Sequence, residues 1–171
     1  RGIGRSTITA SMNPALERTA TINVSSGGTT VSVAVTQEGL VMDENIVPDA
    51  ASGMVVDPVK PDADGPCTIK FNAPDGSELF GYTGDLYAHL GLIVDDEWAF
   101  VPADWDENTD KCKFTNVGEN SWELKIEPSI REFFGSGETP LTRLAIVIRS
   151  ADGSLQTRPD QFNSIKDNKY Q

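Results

Sequence analysis

The chain has 171 residues, of which 38% are hydrophobic and 23% charged, and this size and composition fit one soluble globular domain and exclude two full ones. Asp and Glu number 26 against 14 Lys and Arg, so the formal net charge at pH 7 is −12. Such a charge repels phosphates and anionic lipid head groups, which argues against nucleic acid and membrane surfaces as partners. An uncharged ligand meets no such penalty.

The first residues give no targeting or membrane segment. No run approaches the roughly 18 apolar residues that would span a bilayer, so direct membrane insertion is not expected. The opening RGIGRSTITASMNP lacks the apolar centre of a signal peptide. Because the chain begins with Arg1 and not Met, we expect a processed product, an expressed fragment or a piece of something longer.

Residues 1–40 carry short β-branched runs, STITA, TATINV and TTVSVAVTQ, separated by turn residues that include Ser25-Ser26-Gly27-Gly28. This pattern predicts strands joined by a hairpin. Alternation of Val31, Val33 and Val35 with smaller or polar residues predicts a half-buried strand. Residues 41–66 are rich in proline, acidic residues and glycine, and we interpret them as an extended linker.

From Cys67 onward, apolar and β-branched segments recur at intervals of roughly 8 to 12 residues, a spacing that predicts an all-β sandwich. A short helix is expected over 128–135, where Pro128 lies near the start, Phe133 and Phe134 form an apolar side and Gly135 ends it. We place the sandwich at 67–162 and a polar tail at 163–171. The predicted strands are 67–72, 85–94, 98–101, 111–116, 121–126 and 142–150.

The two cysteines are too few for a disulfide scaffold. Cys67 shares one face of its strand with Ile69 and Phe71, and Cys112 shares one face with Phe114, so both thiols are predicted to point inward. A disulfide and two free buried thiols fit this pattern equally well.

Residues 82–122 contain all three tryptophans, the only histidine and two of the three tyrosines. In DLYAHLGLIV, alternation directs the leucines to the core and predicts Tyr87 and His89 as neighbours on the outer surface. The alternative is a strand covered on both faces, with both side chains in a core.

Trp98 and Trp105 lie beside turns, at strand ends, where an aromatic ring is less easily buried. Trp122 alternates with Leu124 and Ile126, and we interpret it as a core residue. Aromatic faces stack on the CH-rich face of a pyranose and leave its hydroxyls for polar neighbours. The candidates for that polar rim are Asn108, Lys111, Lys113, Asn116 and Asn120.

Catalysis is not expected. The chain has one histidine and no G-x-S-x-G nucleophile motif, and two carboxylates for glycoside hydrolysis occur in any acidic chain. The run from Asp104 to Asp110 resembles the start of a calcium loop, but Thr109 and Thr115 replace its required Gly and Glu. We interpret this run as a solvated turn and predict no metal and no cofactor.

The segments 81–135 and 141–154 resemble the starch-binding, immunoglobulin-like modules of extracellular α-amylases and pullulanases of Bacteroidetes and the related outer-surface starch-binding lipoproteins. These segments lie in the predicted module at 67–162, which makes up about 100 of the 171 residues. It implies an immunoglobulin-like sandwich in which Tyr87, His89 and Trp98 grip two adjacent glucose units and Trp105 is a further ring. It also implies an extracellular location and a catalytic domain elsewhere in the natural chain.

Residues 1–40 are similar to the closing half of a second family, the Bacteroidetes-associated carbohydrate-binding often N-terminal domain. The matching marks are Asn13, Arg18 with TATINV, and VAVTQEG, whereas the preceding half with that family's tryptophans is absent. Two functions therefore stay open for the whole chain. One is a non-catalytic module that binds starch-like α-glucans, and the other is a structural or adhesion spacer without its own ligand.

Overall fold

A computed structural model describes residues 18–37 and 46–170. The chain divides into two compact units, residues 1–41 with 170–171 and residues 42–169.

In the smaller unit, strand β1 (Arg18–Ser26) pairs antiparallel with strand β2 (Thr29–Gln37). Gly27 and Gly28, both with positive φ, form the two-residue turn, which confirms the predicted hairpin. The expected half-burial of β2 is wrong. Val31, Val33 and Val35 are 57%, 49% and 37% exposed, because β1 and β2 form a two-stranded sheet within the described residues. The predicted run STITA lies outside those residues.

The larger unit contains two four-stranded antiparallel sheets, with strand orders 3-4-8-7 and 10-9-5-6. The predicted all-β sandwich with one short helix is confirmed. Its strands are β3 (Met54–Asp57), β4 (Cys67–Asn72), β5 (Leu86–Val94), β6 (Glu97–Ala99), β7 (Thr115–Gly118), β8 (Ser121–Ile126), β9 (Arg143–Ser150) and β10 (Gln161–Ser164). A 3-10 turn at Asp110–Cys112 occupies the first half of the strand predicted at 111–116.

The core lies between the two sheets and is built from alternate residues of each strand. In β5, Leu86, Leu90 and Leu92 are fully buried in it, as the alternation predicted. Ile69 of β4 and Ile146 of β9 are buried in the same cluster. Each strand turns one set of side chains inward, so the other set lies on an outer face. The outer face of the 10-9-5-6 sheet carries Tyr87, His89 and Trp98.

Helix α1 (Ile130–Phe134) forms where the sequence predicted a helix. Ser129 caps its start, since its hydroxyl accepts a hydrogen bond from the backbone NH of Glu132. Gly135 ends it in the left-handed conformation that favours glycine. Phe133 and Phe134 are buried in the core, so the helix closes one end of the sandwich.

The interpretation of 41–66 as an extended linker is wrong for the described residues 46–66. They contain β3, which pairs with β4 in the register Met54 to Phe71. Met54 and Val56 are buried while the residues between and after them are exposed. The four residues of β3 alternate between buried and exposed positions, and they form a strand in this proline-rich segment by pairing with β4.

The predicted polar tail at 163–171 is also wrong, because β10 extends to Ser164 and the residues after it continue to pack. Asp167 is 1% exposed and forms an ion pair at 2.8 Å with Arg131, which is 7% exposed. Arg131 also pairs with Asp64 at 2.9 Å and donates to the carbonyls of Gly137 and Thr139. The buried guanidinium of Arg131 thus joins helix α1 to the segment between β3 and β4 and to the residues after β10.

Both cysteines are free and buried, which decides between the two alternatives left open by the sequence. Burial raises the pKa of the Cys67 thiol to about 12. We therefore describe both as packing residues.

Asp167→Asn is expected to lower the free energy of unfolding of the larger unit by about 3 kcal/mol, because it leaves the buried Arg131 short of a charge partner. Urea denaturation followed by circular dichroism measures the change. Lys70→Met is the matched control, since it breaks an exposed ion pair with Asp57 and should change stability little. Equal stability of the two variants would contradict a structural role for the residues after β10.

Candidate ligand-binding site

The candidate site lies on the outer face of the 10-9-5-6 sheet. In the register between β5 and β9, Tyr87 faces Arg149 and His89 faces Val147. Directly opposed residues of an antiparallel pair extend to the same side of the sheet. The two strands therefore place an arginine, a histidine and a tyrosine together on this face.

Trp98 joins this face through the tight turn between β5 and β6. Asp95 and Asp96 both have positive φ, which gives a two-residue hairpin turn and places Trp98 opposite Ile93. Its indole stacks on the His89 ring with the centroids 5.4 Å apart and the planes inclined by 24°. Gly91 makes room for the indole, since a Cβ there would lie 2.7 Å from Cε3 of Trp98.

Trp105 contacts His89 from another direction. The two ring centroids are 5.4 Å apart and the planes are inclined by 70°, an edge-to-face arrangement. Its indole nitrogen lies against Gly153, where a Cβ would approach it to 2.9 Å. His89 thus lies between the two tryptophans, and all three rings are half-buried. We call Trp98, His89 and Trp105 the ring cluster.

Arg149 lies beneath the ring cluster and is 1% exposed. Its guanidinium carbon is 5.4 Å from the centre of the Tyr87 ring and 5.7 Å from that of Trp105. These are cation–π contacts, which attract a cation to the face of an aromatic ring. The guanidinium also donates hydrogen bonds to Glu107 and Asn108, residues of the segment that carries Trp105.

Tyr87 lies on the predicted outer face, yet it is only 7% exposed. The prediction that it stands in water is wrong, because the Arg149 guanidinium lies over its ring and a β-bridge places Lys113 beside it. His89 is half-buried and borders solvent. The alternative of a strand covered on both faces therefore holds for Tyr87 and only in part for His89.

The turn at 150–154 supports the ring cluster from one side. The side-chain oxygen Oδ1 of Asp152 accepts hydrogen bonds from the Ser154 NH at 3.0 Å and from the Ser150 and Ser154 hydroxyls at 2.7 Å. These hydrogen bonds lower the pKa of Asp152 to about 2, and the bond from the Ser154 NH has the largest effect. Gly153, which touches Trp105, is therefore part of a tightly bonded turn.

Asn108 and Lys111 are engaged in contacts within the protein. Asn108 accepts a hydrogen bond from Arg149 at 2.9 Å and donates one to the carbonyl of Ala151 at 3.0 Å. Its amide therefore connects the segment that follows Trp105 to the end of β9 and the turn after it. Lys111 donates to the carbonyl of Phe133 and its ammonium lies 4.5 Å from that ring. The structure places the Lys111 ammonium at helix α1.

The remaining rim candidates lie elsewhere. Lys113 pairs with Asp85 at 3.1 Å, and Asn120 accepts from the Gly81 NH at 2.7 Å. Asn116 lines a separate shallow depression beside Tyr82. None of these three takes part in the ring contacts of the described residues.

Trp122 is buried in the core, as its alternation predicted. The calcium-like run forms a turn in which the Glu107 NH donates to the Asp104 carbonyl at 3.1 Å. Over residues 18–37 and 46–170, no group of three or more His, Cys, Asp or Glu side chains could hold a metal ion.

The sequence did not lead us to predict Arg149 as a site residue, although the pattern of its strand indicates which face it lies on. In LTRLAIVIRS the alternation that sends Leu144, Ile146 and Ile148 inward sends Arg149 to the outer face. Pairing with β5 then placed it opposite Tyr87. That pairing joins residues more than 60 positions apart, which one strand's pattern does not reveal.

No protein-family model matches this chain, and a search of curated proteins also returns no match. In the part of the chain that the structure describes, no helix has the length and apolar character to cross a membrane.

His89 is the only histidine, and its pKa is lowered from the ordinary value of 6.5. Burial is the larger cause and the charge of Arg149 the second, while the carboxylates of Asp104 and Asp160 act in the opposite direction. The His89 ring, stacked on Trp98 and edge-to-face with Trp105, is therefore mainly neutral at pH 7.

A proton NMR titration of the single histidine is expected to give a midpoint below 6.5. Because the unfolded chain then takes up its proton first, the free energy of unfolding should fall as the pH drops from 6.5 toward the folded pKa. His89→Gln removes this part of the pH dependence and serves as the control. A midpoint at or above 6.5 would contradict the burial of this ring.

Proposed function

We propose that this protein is a non-catalytic module that binds starch-like α-glucans through the ring cluster, as an accessory part of a cell-surface protein for polysaccharide use. The observation that carries the proposal is the fixed, half-exposed arrangement of Trp98, His89 and Trp105 on one sheet face. A catalytic domain in the same natural chain would act on the glucan that this module holds.

The ring cluster suits a pyranose because each ring is already immobilised. Trp98 is held over Gly91 and against His89, and Trp105 is held against Gly153 and Arg149. Ligand binding therefore costs little additional side-chain entropy in the protein. The exposed remainder of each indole offers an apolar surface for the CH groups of a sugar.

The angle between the tryptophans favours a curved glucan over a flat one. Since Trp98 is inclined by 24° and Trp105 by 70° to the same imidazole, the two indole planes differ by at least 46°, the difference of those angles. A flat ribbon such as cellulose presents consecutive sugar faces nearly in one plane. An α-1,4-glucan curves, so that consecutive glucose units turn relative to one another and can meet inclined rings.

The charges around the ring cluster support a neutral ligand rich in hydroxyl groups. Asp104 and Asp160 are exposed carboxylates close enough to act on the charge of His89. A carboxylate accepts hydrogen bonds from hydroxyls and repels anions. The net charge of −12 also repels anionic ligands, and it does so over a longer range.

The spacer function is the second candidate, and one observation favours it. The rings contact one another and Arg149, and Tyr87 is buried, so part of the aromatic content is used for packing. A spacer requires only that packing. The two functions differ in whether the exposed parts of the indoles bind a sugar.

Isothermal titration calorimetry with maltoheptaose should give a dissociation constant in the range of about 1 µM to 1 mM, and cellohexaose should give no heat. Trp98→Ala and Trp105→Ala are each expected to weaken maltoheptaose binding on the order of tenfold, equivalent to ~1.4 kcal/mol. Loss of a stacking surface is the physical reason.

Phe80→Ala is the control, since Phe80 is an exposed ring that belongs to none of the ring contacts in the described residues. Gly91→Ala keeps every ring and displaces Trp98, so it tests the geometry separately. Unchanged affinity in folded Trp98→Ala and Trp105→Ala proteins would refute this site. No heat from the unaltered protein with either glucan would favour the spacer.

A further inference from the structure

Arg149 is a buried cation whose polar contacts are almost all to uncharged groups. At 1% exposure it has no carboxylate partner among the residues that the structure describes, and its Nε is buried without a hydrogen-bond partner there. Taking a charge out of water is costly unless other groups compensate. A residue placed at such a cost needs contacts that a neutral side chain could not make.

The contacts of Arg149 join three pieces of backbone. Its Nη2 donates to the carbonyl of Glu107 at 2.7 Å, and Nη1 donates to Oδ1 of Asn108 at 2.9 Å. Nη1 also lies 3.0 Å from the carbonyl of Ser150 and 3.4 Å from that of Ala151. Strand β9, the turn after it and the segment that follows Trp105 are thereby held by one planar group.

The same guanidinium contacts the ring of Tyr87 on β5 and the ring of Trp105 in the segment after β6. Trp105 itself lies outside any strand, since the segment between β6 and β7 consists of turns, one 3-10 turn and a single bridge from Lys113 to Tyr87. Its orientation therefore depends on what lies beneath it. Those supports are the His89 ring, Gly153 and Arg149.

From these contacts we infer that Arg149 is a positioning residue that fixes Trp105 against the sheet and thereby sets the angle between the two indoles. The part of this inference that concerns sugar selection rests on the proposed function. The part that concerns the position of Trp105 does not. Arg149 itself is buried and does not contact the ligand in this account.

The test compares Arg149→Met, Arg149→Lys and Asn108→Ala with Arg143→Met. Lys keeps the charge but lacks the planar fork that reaches two carbonyls and an amide together. Asn108→Ala removes one partner of the guanidinium from an exposed position, so it folds even if the Arg149 variants do not. Arg143 is on the same strand and pairs with the exposed Asp96, which makes it the matched control.

Two readouts report position independently of any sugar. The indole NH signal of Trp105 in a ¹⁵N–¹H spectrum should shift and become accessible to a soluble paramagnetic probe in all three test variants. The His89 titration midpoint should rise in Arg149→Met, where the cation is lost, and stay low in Arg149→Lys, where it is kept. Arg143→Met should alter neither readout.

Binding supplies the third readout. In Arg149→Lys, affinity for maltoheptaose should fall on the order of tenfold and its preference over cellohexaose should narrow. Unchanged Trp105 signals in the folded test variants would overturn the whole inference. If the Trp105 signal changes but the preference for maltoheptaose over cellohexaose does not, the part of the inference that concerns sugar selection is overturned. If the unaltered protein binds neither glucan while Trp105 responds as expected, the proposed function fails and the positioning role is supported.

Discussion

The outer face of the 10-9-5-6 sheet is arranged around one constraint, the buried guanidinium of Arg149, which has no carboxylate partner among the described residues. Arg149 satisfies its charge with backbone carbonyls, one amide oxygen and two aromatic faces. Each of those partners must stay in place because an unsatisfied buried cation would destabilise the fold strongly. The segment around Trp105 is held to the sheet by these contacts and by the bridge from Lys113 to Tyr87.

The ring cluster combines packing with exposure. His89 contacts both indoles, and two glycines let the tryptophans approach the backbone closely, so each indole is fixed on one side. A binding site benefits from such pre-ordering, because a flexible oligosaccharide already loses entropy when it binds. Packing contacts among these rings are therefore compatible with binding, and the outcome depends on how the exposed parts are used.

Local patterns in the sequence predicted most of the strands and the helix. The residues that meet at the candidate site, in contrast, are brought together by the pairing of strands that are distant in the sequence. Alternation identified the leucine face of β5, and Ser129 with Gly135 fits the predicted helix. The same alternation did not reveal that Arg149 covers Tyr87, since these two residues are more than 60 positions apart in the sequence. β3 was missed because its four residues lie among prolines and acidic residues.

The most direct test of the central claim uses the three tryptophans of the chain as their own controls. The ¹⁵N–¹H spectrum of the unaltered protein is recorded as maltoheptaose is added. We expect the indole signals of Trp98 and Trp105 to shift in a saturable way while that of the buried Trp122 stays fixed. Indole signals that remain unchanged at saturating maltoheptaose, or shifts confined to another surface, would contradict the assignment of the ring cluster as a glucan-binding site.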